Sequence, residues 1–578
     1  MLRQTFLSRG AVRRGRTDIA ADLAVLLGVF ALLYVLVRVG SGALARFQPP
    51  AQLPSISLDP RNLPYYAARS VLRMFVALGV SWVFTLVYGY TAARSRRAER
   101  VLIPLLDVLQ SVPVLGFLSV TITFFIALFR GSLLGLEAAS VFAIFTSQAW
   151  NMTFSFYQSL KTLPADLDAA TTLYRLPRWQ RFTRLEVPAA MIGLVWNGMM
   201  SFGGGWFFLA ASEAISVLNQ SYTLPGIGSY VAAAVLAMNL RALGLALLTM
   251  ALVIVLIDQL FWRPIVAWSD KFKFEQQAAV ETPQSWVLDL LRTARLPRLL
   301  GNALSPAREW LDVVLSSFGP PRPRSVQPAG RNWKDWAFNG FLAVVILVLL
   351  AAGERFITTE VGWAEVGRAF WLGLLTFGRV TVLIIASTLI WVPIGVAIGF
   401  NPRLAQVMRP IVQLLASFPA NFVFPFITLL LIRTGVSLNW GSILLMAMGT
   451  QWYILFNTIA GAISVPTDLR DMATNMRLRR WLLWRNLIIP AIFGAWVTGG
   501  ITAAGGAWNA AIVAEIVSWG KTKLVADGLG AYIAQATTVG DWPRIVLGVG
   551  MMSLFVVALN RGFWRRLYRL AETRYRLG

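Results

Sequence analysis

Two carboxylates are the most conspicuous candidate functional groups, because each ends a long apolar segment. Glu213 closes the run GGGWFFLAASE, and Glu515 closes GGAWNAAIVAE, 302 residues further along the chain. An ionisable side chain inside a membrane segment is costly and usually functional. The segment from Pro188 to Glu213, at about 1.5 Å per helical residue, exceeds a hydrocarbon core of roughly 30 Å. We therefore expect both glutamates at the outer interface, in a gate or a contact with an external protein; solvated carboxylates at helix ends are the alternative.

Small and uncharged polar residues precede the glutamates and could line a pathway for a solute. Glycines allow close helix approach, or local unwinding that turns backbone N–H groups towards a ligand. Mid-depth positions show no convincing Lys, Arg, Asp or Glu, which a proton-relay transporter is expected to have. Amides, indoles and backbone donors could instead hold a small anion, and packing alone is the alternative for the glycines. The candidate pathway and gate residues are Gln148, Asn197, Gly204, Trp206, Glu213, Gln451, Gly506, Trp508, Asn509 and Glu515.

The composition excludes several other kinds of chemistry. The chain has no Cys and no His, which excludes disulfides, thiolate or imidazole metal sites and a histidine proton shuttle. The run WGKT, Trp519 to Thr522, resembles the end of a phosphate-binding loop, but Glu515 stands where that motif needs its first Gly. The sequence therefore predicts no catalytic residue and no cofactor in this chain, so that any ATP-derived energy comes from a partner.

Membrane-spanning helices must position these residues. Of 578 residues, 57% are hydrophobic and 14% charged, which is typical of a polytopic membrane protein. The net charge of +25 lies in Arg clusters between apolar runs, which orients membrane helices and argues against nucleic-acid binding. We place the N-terminus in the cytoplasm and interpret the first apolar run as a retained signal anchor. Passing the chain through the membrane from there places nearly every basic cluster and the C-terminus in the cytoplasm. The twelve predicted spans lie near 19–38, 68–92, 101–129, 138–161, 186–211, 242–262, 336–352, 371–399, 404–432, 440–463, 488–516 and 544–564.

The chain contains two copies of one membrane unit. YRLPRW at 174–179 pairs with MRLRRW at 476–481, and Gly226 pairs with Gly528, at the same offset as the glutamates. Each copy has six predicted spans, an even number, so the second copy starts on the same side of the membrane as the first. The two copies are therefore expected to be parallel, with a pseudo-twofold axis along the membrane normal and the pathway between them. We predict a first unit at 1–262, a cytoplasmic or interfacial linker at 263–335 and a second unit at 336–578. An amphipathic linker segment near Trp286 either lies on the membrane surface or packs on a partner.

One short cytoplasmic loop is kept in both copies, between Pro164 and Pro188 and between Pro466 and Pro490. Pro and Asp at its start suit a helix N-terminus, and Arg residues follow. Ordinary charged loops are not usually kept residue by residue across a duplication, so we predict a docking element. The predicted docking residues are Asp166, Leu167, Arg175, Leu176, Arg178, Trp179, Asp468, Leu469, Arg477, Leu478, Arg480 and Trp481.

These loops resemble the EAA loop of type I ABC importer permeases, and RW with the closing Pro resembles the nitrate/taurine/sulfonate/bicarbonate branch. The resemblance covers 68–262 and 371–564. It implies an all-α, polytopic, MetI-like fold of about twelve helices, with two permease units fused and each loop acting as a coupling helix at 164–188 and 466–490. It also implies two copies of a cytoplasmic ABC ATPase that bind ATP and Mg, an external solute-binding protein, a bacterial inner membrane, and transport of a small anion such as nitrate, bicarbonate, or a sulfonate or taurine.

The loops depart from the family pattern at two places. The Glu-Ala-Ala positions hold Ala-Ala-Thr at 169–171 and Asp-Met-Ala at 471–473, and the Gly position holds Arg175 and Arg477. A bulky cation in both copies suggests a different socket on the ATPase. An ion-driven secondary transporter or channel without an ATPase is the alternative, although it has no reason to keep a docking loop, and an exporter is a third possibility. The residues alone do not name the substrate.

Overall fold

The computed structural model describes residues 55–574 except for 112, 130–131, 218–219, 273–284, 295, 317–343, 345–350, 352 and 479–480. The predicted span near 19–38 and nearly all of the span near 336–352 lie outside the described residues, as does Arg480. The predicted unit boundaries at 262 and 335 stay predictions.

The first copy consists of helices joined by short turns and one β-hairpin. Its helices are Leu63–Arg94 (α1), Arg96–Ser111 (α2), Leu118–Leu128 (α3), Leu134–Lys161 (α4), Ala165–Leu173 (α5), Arg178–Arg181 (α6), Val187–Glu213 (α7), Ile227–Leu236 (α8), Leu240–Ile257 (α9) and Arg263–Ser269 (α10). A π-helical turn at Phe182–Glu186 makes α6 and α7 continuous. Strands Ala214–Val217 (β1) and Gln220–Thr223 (β2) pair antiparallel between α7 and α8.

The second copy repeats this order after two linker helices, Trp286–Thr293 (α11) and Leu296–Ser316 (α12). Its helices are Trp363–Gly399 (α13), Pro402–Ser417 (α14), Phe424–Thr434 (α15), Leu438–Ile463 (α16), Thr467–Asn475 (α17), Trp481–Leu483 (α18), Ile489–Ala514 (α19), Leu529–Val539 (α20), Trp542–Leu559 (α21) and Arg565–Arg574 (α22). Strands Ile516–Trp519 (β3) and Thr522–Val525 (β4) form the matching hairpin.

Six helices within the described ranges are long and apolar enough to cross a membrane, so the chain is a multi-pass membrane protein. They are Pro60–Arg94, Leu240–Phe272, Trp363–Gly399, Leu438–Ile463, Trp481–Ala514 and Trp542–Ala571. Each overlaps a predicted span, and the helical fold class is confirmed, although the described residues do not establish the count of twelve.

Two predicted spans, 101–129 and 404–432, are not single helices. Each is interrupted by a short 3₁₀ turn, at Val114–Phe117 and at Ala420–Phe422. Pro113 and Pro419 precede these turns with φ of −66° and −68°. Proline lacks the N–H that would continue the helical hydrogen bonds, and it disfavours helical geometry in the residue before it. The paired prolines therefore break both helices at equivalent positions.

The described chain divides into two compact units. One, the loop–linker unit, gathers Ser155–Asn197 with Val255–Val326, and therefore contains the first predicted coupling loop together with helices α11 and α12. The other, the core unit, gathers Ala43–Phe154, Gly198–Ile254 and Gln327–Gly578. In the core unit, residues of both copies share one cluster of buried apolar side chains, among them Leu118, Leu136, Leu445, Trp508 and Ile533.

Candidate functional site

Glu213, the last residue of α7, is fully buried, with 0% of its surface exposed. Its Oε1 accepts hydrogen bonds from Arg73 Nη1 at 2.7 Å and from Ser70 Oγ at 2.5 Å. Its Oε2 accepts from the backbone N–H of Gly228 at 2.7 Å, in the first turn of α8. The carboxylate thus lies where unpaired N–H groups and the helix dipole favour a negative charge. The alternative of a solvated carboxylate at a helix end is therefore wrong for this residue.

Glu515 is held in the same way in the second copy and is also 0% exposed. Its Oε1 accepts from Arg379 Nη1 and Thr376 Oγ1, both at 2.8 Å. Its Oε2 accepts from the backbone N–H groups of Gly530 at 2.8 Å and Ala531 at 3.2 Å. The arginine and the hydroxyl follow their first-copy counterparts by 306 residues, and the glutamate and glycine follow theirs by 302. The duplication therefore reproduces the complete arrangement.

We call Ser70, Arg73, Glu213 and Gly228 the first clamp, and Thr376, Arg379, Glu515 and Gly530 the second clamp. In each clamp the arginine also donates to a carbonyl in the turn between hairpin and short helix, Pro225 O or Asp527 O, at 3.0 Å. The hydroxyl of each clamp accepts the first N–H of the short helix, at 3.0 Å and 2.9 Å. Each clamp therefore attaches three elements to one another: α1, α7 and α8, or α13, α19 and α20.

Glycines make this close approach possible. A Cβ atom at Gly226 would overlap the carboxylate of Glu213, and one at Gly528 would overlap that of Glu515. A Cβ at Gly228 would meet Ala210 O at 2.6 Å. The repeated Gly-x-Gly sequence is thus explained by the space that the glutamates need, and not by an unusual backbone angle.

The two clamps differ in one neighbouring residue. Arg73 binds a second carboxylate, Glu137, through Nε at 2.5 Å and Nη2 at 2.8 Å, and Arg69 binds Glu137 as well. The position 302 residues after Glu137 is Asn439, whose O and Oδ1 accept from Arg379 at 3.0 Å and 2.7 Å. The formal charges of the ion-paired side chains therefore cancel around each clamp. The first copy has two arginines and two glutamates there, and the second copy has one arginine and one glutamate.

The sequence analysis missed these arginines and Glu137. Arg69, Arg73 and Arg379 are 2%, 2% and 8% exposed inside long apolar helices; the inference that no charged residue lies at mid-depth stays a prediction. The repeat offers a signal that could have found two of them, because Arg379 lies 306 residues after Arg73, at the offset of the flanking SVP and SFP motifs.

The candidate pathway residues do not form a single cluster. Gln148 is 0% exposed, and within the described residues neither atom of its amide has a hydrogen-bond partner. Gln451 Oε1 accepts from Trp391 Nε1 at 2.9 Å. Trp206 and Trp508 are 2% and 1% exposed and lie among packed aromatic rings. For these two indoles the structure shows packing, and their place in a pathway stays a prediction.

Asn509 takes part in a contact between the copies. Its Oδ1 accepts from the backbone N–H of Val114 at 3.0 Å. The residue 302 positions earlier is Phe207, whose carbonyl accepts from Asn421 Nδ2 at 3.2 Å. In each direction, the turn after the SVP or SFP motif of one copy contacts the penultimate long helix of the other. The other predicted pathway residues contact their own surroundings: the amide of Asn197 donates to Gly193 O, Gly204 faces Tyr453, and Gly506 faces Thr450.

A cavity of about 370 Å³ lies between the copies, next to the first clamp. The first copy contributes Tyr222, Thr223 and Gly228 to its lining, and the second contributes Asn421 and Ser518. The polar groups among these are uncharged hydroxyls and amides. The cavity therefore lies where the two copies meet and presents uncharged polar groups from both of them.

The two predicted coupling loops have the same backbone geometry. Helices α5 and α17 have nine residues each. Both end in a Schellman motif, in which Leu176 N–H donates to Thr171 O at 3.1 Å and Leu478 N–H donates to Ala473 O at 2.9 Å. The residue at the turn, Arg175 or Arg477, has φ of 47° or 50°. Glycine adopts this left-handed conformation most easily, so the structure explains why the resembling family places Gly where this chain has Arg.

The predicted docking aspartates, the turn arginines and the leucines have matching exposure in the two loops. The Asp and Arg side chains, Asp166, Asp468, Arg175, Arg477 and Arg178, are exposed, whereas the leucines Leu167, Leu469, Leu176 and Leu478 are half-buried. The tryptophans differ: Trp481 is 66% exposed, whereas Trp179 is half-buried and packs on Phe182 with ring centres 6.0 Å apart.

Comparison with known proteins identifies the repeated unit. Residues 85–262 and 391–563 each match the family described as binding-protein-dependent transport system inner membrane component. The chain is 26% identical over 191 residues to the nitrate import permease protein NrtB of Leptolyngbya laminosa, and 27% identical over 194 residues to the bicarbonate transport system permease protein CmpB of Synechocystis sp.. Each alignment covers 33% of this chain, and 65% and 66% of the relative.

A riboflavin transport system permease protein of Chloroflexus aurantiacus is 31% identical over 160 residues, which are 27% of this chain and 54% of that protein. The chain thus spans at most about two thirds of the length of these curated relatives. The two family matches together cover more than half of the chain and confirm that it carries two permease units. The protein belongs to the inner-membrane component family of binding-protein-dependent, ABC-type transport systems, with two copies of the family's membrane unit fused in one chain.

Proposed function

We propose that this chain is the membrane permease of an ATP-driven importer, and that its two copies form one pathway for a small anion. The duplicated coupling loop is the observation that carries the proposal. The same short helix, the same Schellman turn and the same pattern of exposed Asp and Arg occur twice, 302 residues apart. Nitrate and bicarbonate in the relatives' names support one of these two anions as substrate, and a sulfonate or taurine rests on the resemblance of the loops alone.

The proposed partners are two copies of a cytoplasmic ABC ATPase, which bind ATP and Mg and hydrolyse ATP, and an external solute-binding protein. Each coupling loop docks one ATPase. Both chain termini and the linker lie in the cytoplasm, and the protein lies in a bacterial inner membrane. The exposed apolar side chains of the loops, Leu173 at 80% and Met476 at 65%, suit burial in a partner's cleft.

The second copy offers a direct mechanical route from loop to clamp. The helix from Trp481 to Ala514 is continuous over 34 residues, which at about 1.5 Å per residue is roughly 50 Å. One end follows α17, and the other end carries Glu515 and its hold on α20. A displacement of the loop by ATPase closure therefore moves the second clamp, and the hairpin and short helix move with it. We propose that these outer segments gate the pathway.

The test of this function is retention of the ATPase by the purified permease. Truncating a buried interface Trp typically costs at least about 2 kcal/mol, or more than tenfold in affinity. We expect the double change Trp179→Ala and Trp481→Ala to leave the permease folded and inserted but unable to retain its ATPase. Trp481→Ala alone should have the larger single effect, because Trp481 is 66% exposed and has more surface to bury in a partner.

A matched control is Trp440→Ala. Trp440 is 71% exposed but lies at the start of α16, at the end of that helix remote from the coupling loop. This variant should retain the ATPase at the wild-type level. Normal ATPase retention and transport by the double loop variant would show that the loops are not coupling helices.

A further inference from the structure

The first coupling loop is packed against the linker. Helix α12 of the linker contacts α6, which follows the first loop helix. Arg184 Nη2 forms an ion pair with Asp312 Oδ2 of α12 at 2.9 Å. Both residues belong to the loop–linker unit, in which the first loop and the linker helices form one compact body.

The second coupling loop is held by its own copy. Its buried residues Val465, Ala473 and Leu487 form an apolar cluster with Phe400 of that copy. Arg470 donates from Nη2 to Ala462 O at 2.6 Å, and its guanidinium lies 4.3 Å from the ring centre of Phe400. These contacts join the loop to the end of α16, to the turn before α19 and to Phe400 at the end of α13.

The residues that hold the first loop are not repeated in the second. The position equivalent to Arg184 is Asn486, which cannot form the ion pair. The buried pair Arg181–Glu186, with Nε and Oε1 2.8 Å apart, is replaced by Leu483 and Ile488. The copies therefore differ in charge at Arg184, where the first loop meets the linker, and at the neighbouring Arg181–Glu186 pair, although their backbone geometry is the same.

We infer that α12 braces the first coupling loop, so that the two ATPase docking positions are not equivalent: the first presents loop and linker as one body, whereas the second loop packs against residues of its own copy. This inference rests on the proposed docking function. Its physical basis is that a loop packed against a further element loses less conformational freedom when it binds than the same loop would without that element. A change in the linker would then alter the affinity of one docked ATPase and not of the other.

A disulfide tests the geometry directly, because the chain has no native Cys. Arg184→Cys and Asp312→Cys should form a bond under mild oxidation. A protease site inserted between Gln277 and Ala278 separates the two positions along the chain, so the bond keeps the fragments together until reduction. The control pairs Arg184→Cys with Trp310→Cys, which lies about 200° away around α12 and is 66% exposed. Equal crosslinking of both pairs would overturn the brace.

Retention of the ATPase tests the consequence. In a Trp481→Ala background, where docking depends on the first loop, Asp312→Arg should lower affinity for the ATPase about two- to fivefold, the range of a partly exposed ion pair. The charge swap Arg184→Asp with Asp312→Arg should restore it. In a Trp179→Ala background, where docking depends on the second loop, Asp312→Arg should change the affinity less than twofold. Equal effects in both backgrounds would overturn the inference.

The two proposals fail in distinguishable ways. If the double Trp variant retains its ATPase, the docking function is wrong, and with it the inferred inequality of docking positions, whatever the disulfide shows. If that variant loses its ATPase but the 184–312 disulfide does not form faster than the control pair, docking stands and the brace is wrong.

Discussion

Replacing Glu515 with Gln removes the charge of the second clamp and keeps the shape of the side chain. Glu515 is 0% exposed, and the side chain of its partner Arg379 is 9% exposed. Removing one member of a buried ion pair typically costs about 3–5 kcal/mol, because the remaining charge has lost its partner. Arg379 keeps its hydrogen bonds to Asn439 and to the carbonyl of Asp527. We therefore expect a loss near the lower limit, about 3 kcal/mol of unfolding free energy.

The first clamp provides an internal comparison. Glu213→Gln leaves Arg73 bound to Glu137 at 2.5 Å and 2.8 Å, so the arginine retains a carboxylate partner. The expected loss is that of a hydrogen bond to a charged group, about 1.5–3 kcal/mol. Glu515→Gln should thus destabilise the protein more than Glu213→Gln. A variant with both Arg379→Gln and Glu515→Gln should be more stable than Glu515→Gln alone, because no unpaired charge remains in the interior.

The assay is unfolding of the purified permease by SDS titration in mixed micelles, with a double-mutant cycle over Arg379 and Glu515 to isolate their coupling. Transport in proteoliposomes with the ATPase and binding protein should fall for Glu515→Gln, since the end of α19 loses its ion pair with Arg379 of α13 and holds the first turn of α20 less tightly. A free energy of unfolding unchanged within about 0.5 kcal/mol, or single losses that simply add in the double variant, would refute the clamp as an ion-pair device.

Three further predictions concern glycine spacing, loop strain and topology. Gly528→Ala should cost about 1–3 kcal/mol of unfolding free energy by displacing the clamp carboxylate, whereas Gly505→Ala, with no atom within 4 Å of the added Cβ, should be neutral or stabilising; equal effects would contradict the close-approach argument. Arg477→Gly should relieve up to about 1 kcal/mol of left-handed strain and slow proteolysis of the second loop, and Arg477→Val should speed it; the opposite order would show that the turn is not left-handed. Single cysteines at three predicted cytoplasmic sites should resist an impermeant thiol reagent in intact cells, and labelling of any of them would contradict the proposed orientation. These sites are Ser8, Ser325 and Thr573.

The sequence alone predicted the features that depend on local or periodic patterns. Apolar runs predicted the helices, because burial in a membrane requires long segments with internally satisfied hydrogen bonds. The offset of 302 residues predicted the duplication, since paired glycines, tryptophans and glutamates recur in register. The two coupling loops were found in the same way, and their resemblance to a permease family agrees with the family matches at 85–262 and 391–563. Pro113 and Pro419 could have indicated the two helix breaks, but the predicted spans at 101–129 and 404–432 included them as parts of continuous helices.

The tertiary structure decided which side chains meet. Arg73 lies 140 residues from Glu213 and 64 from Glu137, and hydropathy treats an arginine in an apolar run only as an interruption. A membrane helix tolerates such a charge when the face that carries it packs against a helix with a partner carboxylate. The periodicity of one segment does not specify which helix that face will contact. The same reason hid the packing of α12 on the first predicted coupling loop. The sequence indicated an amphipathic segment near Trp286, but Asp312 lies 128 residues from Arg184 along the chain, and only the folded chain brings the two together.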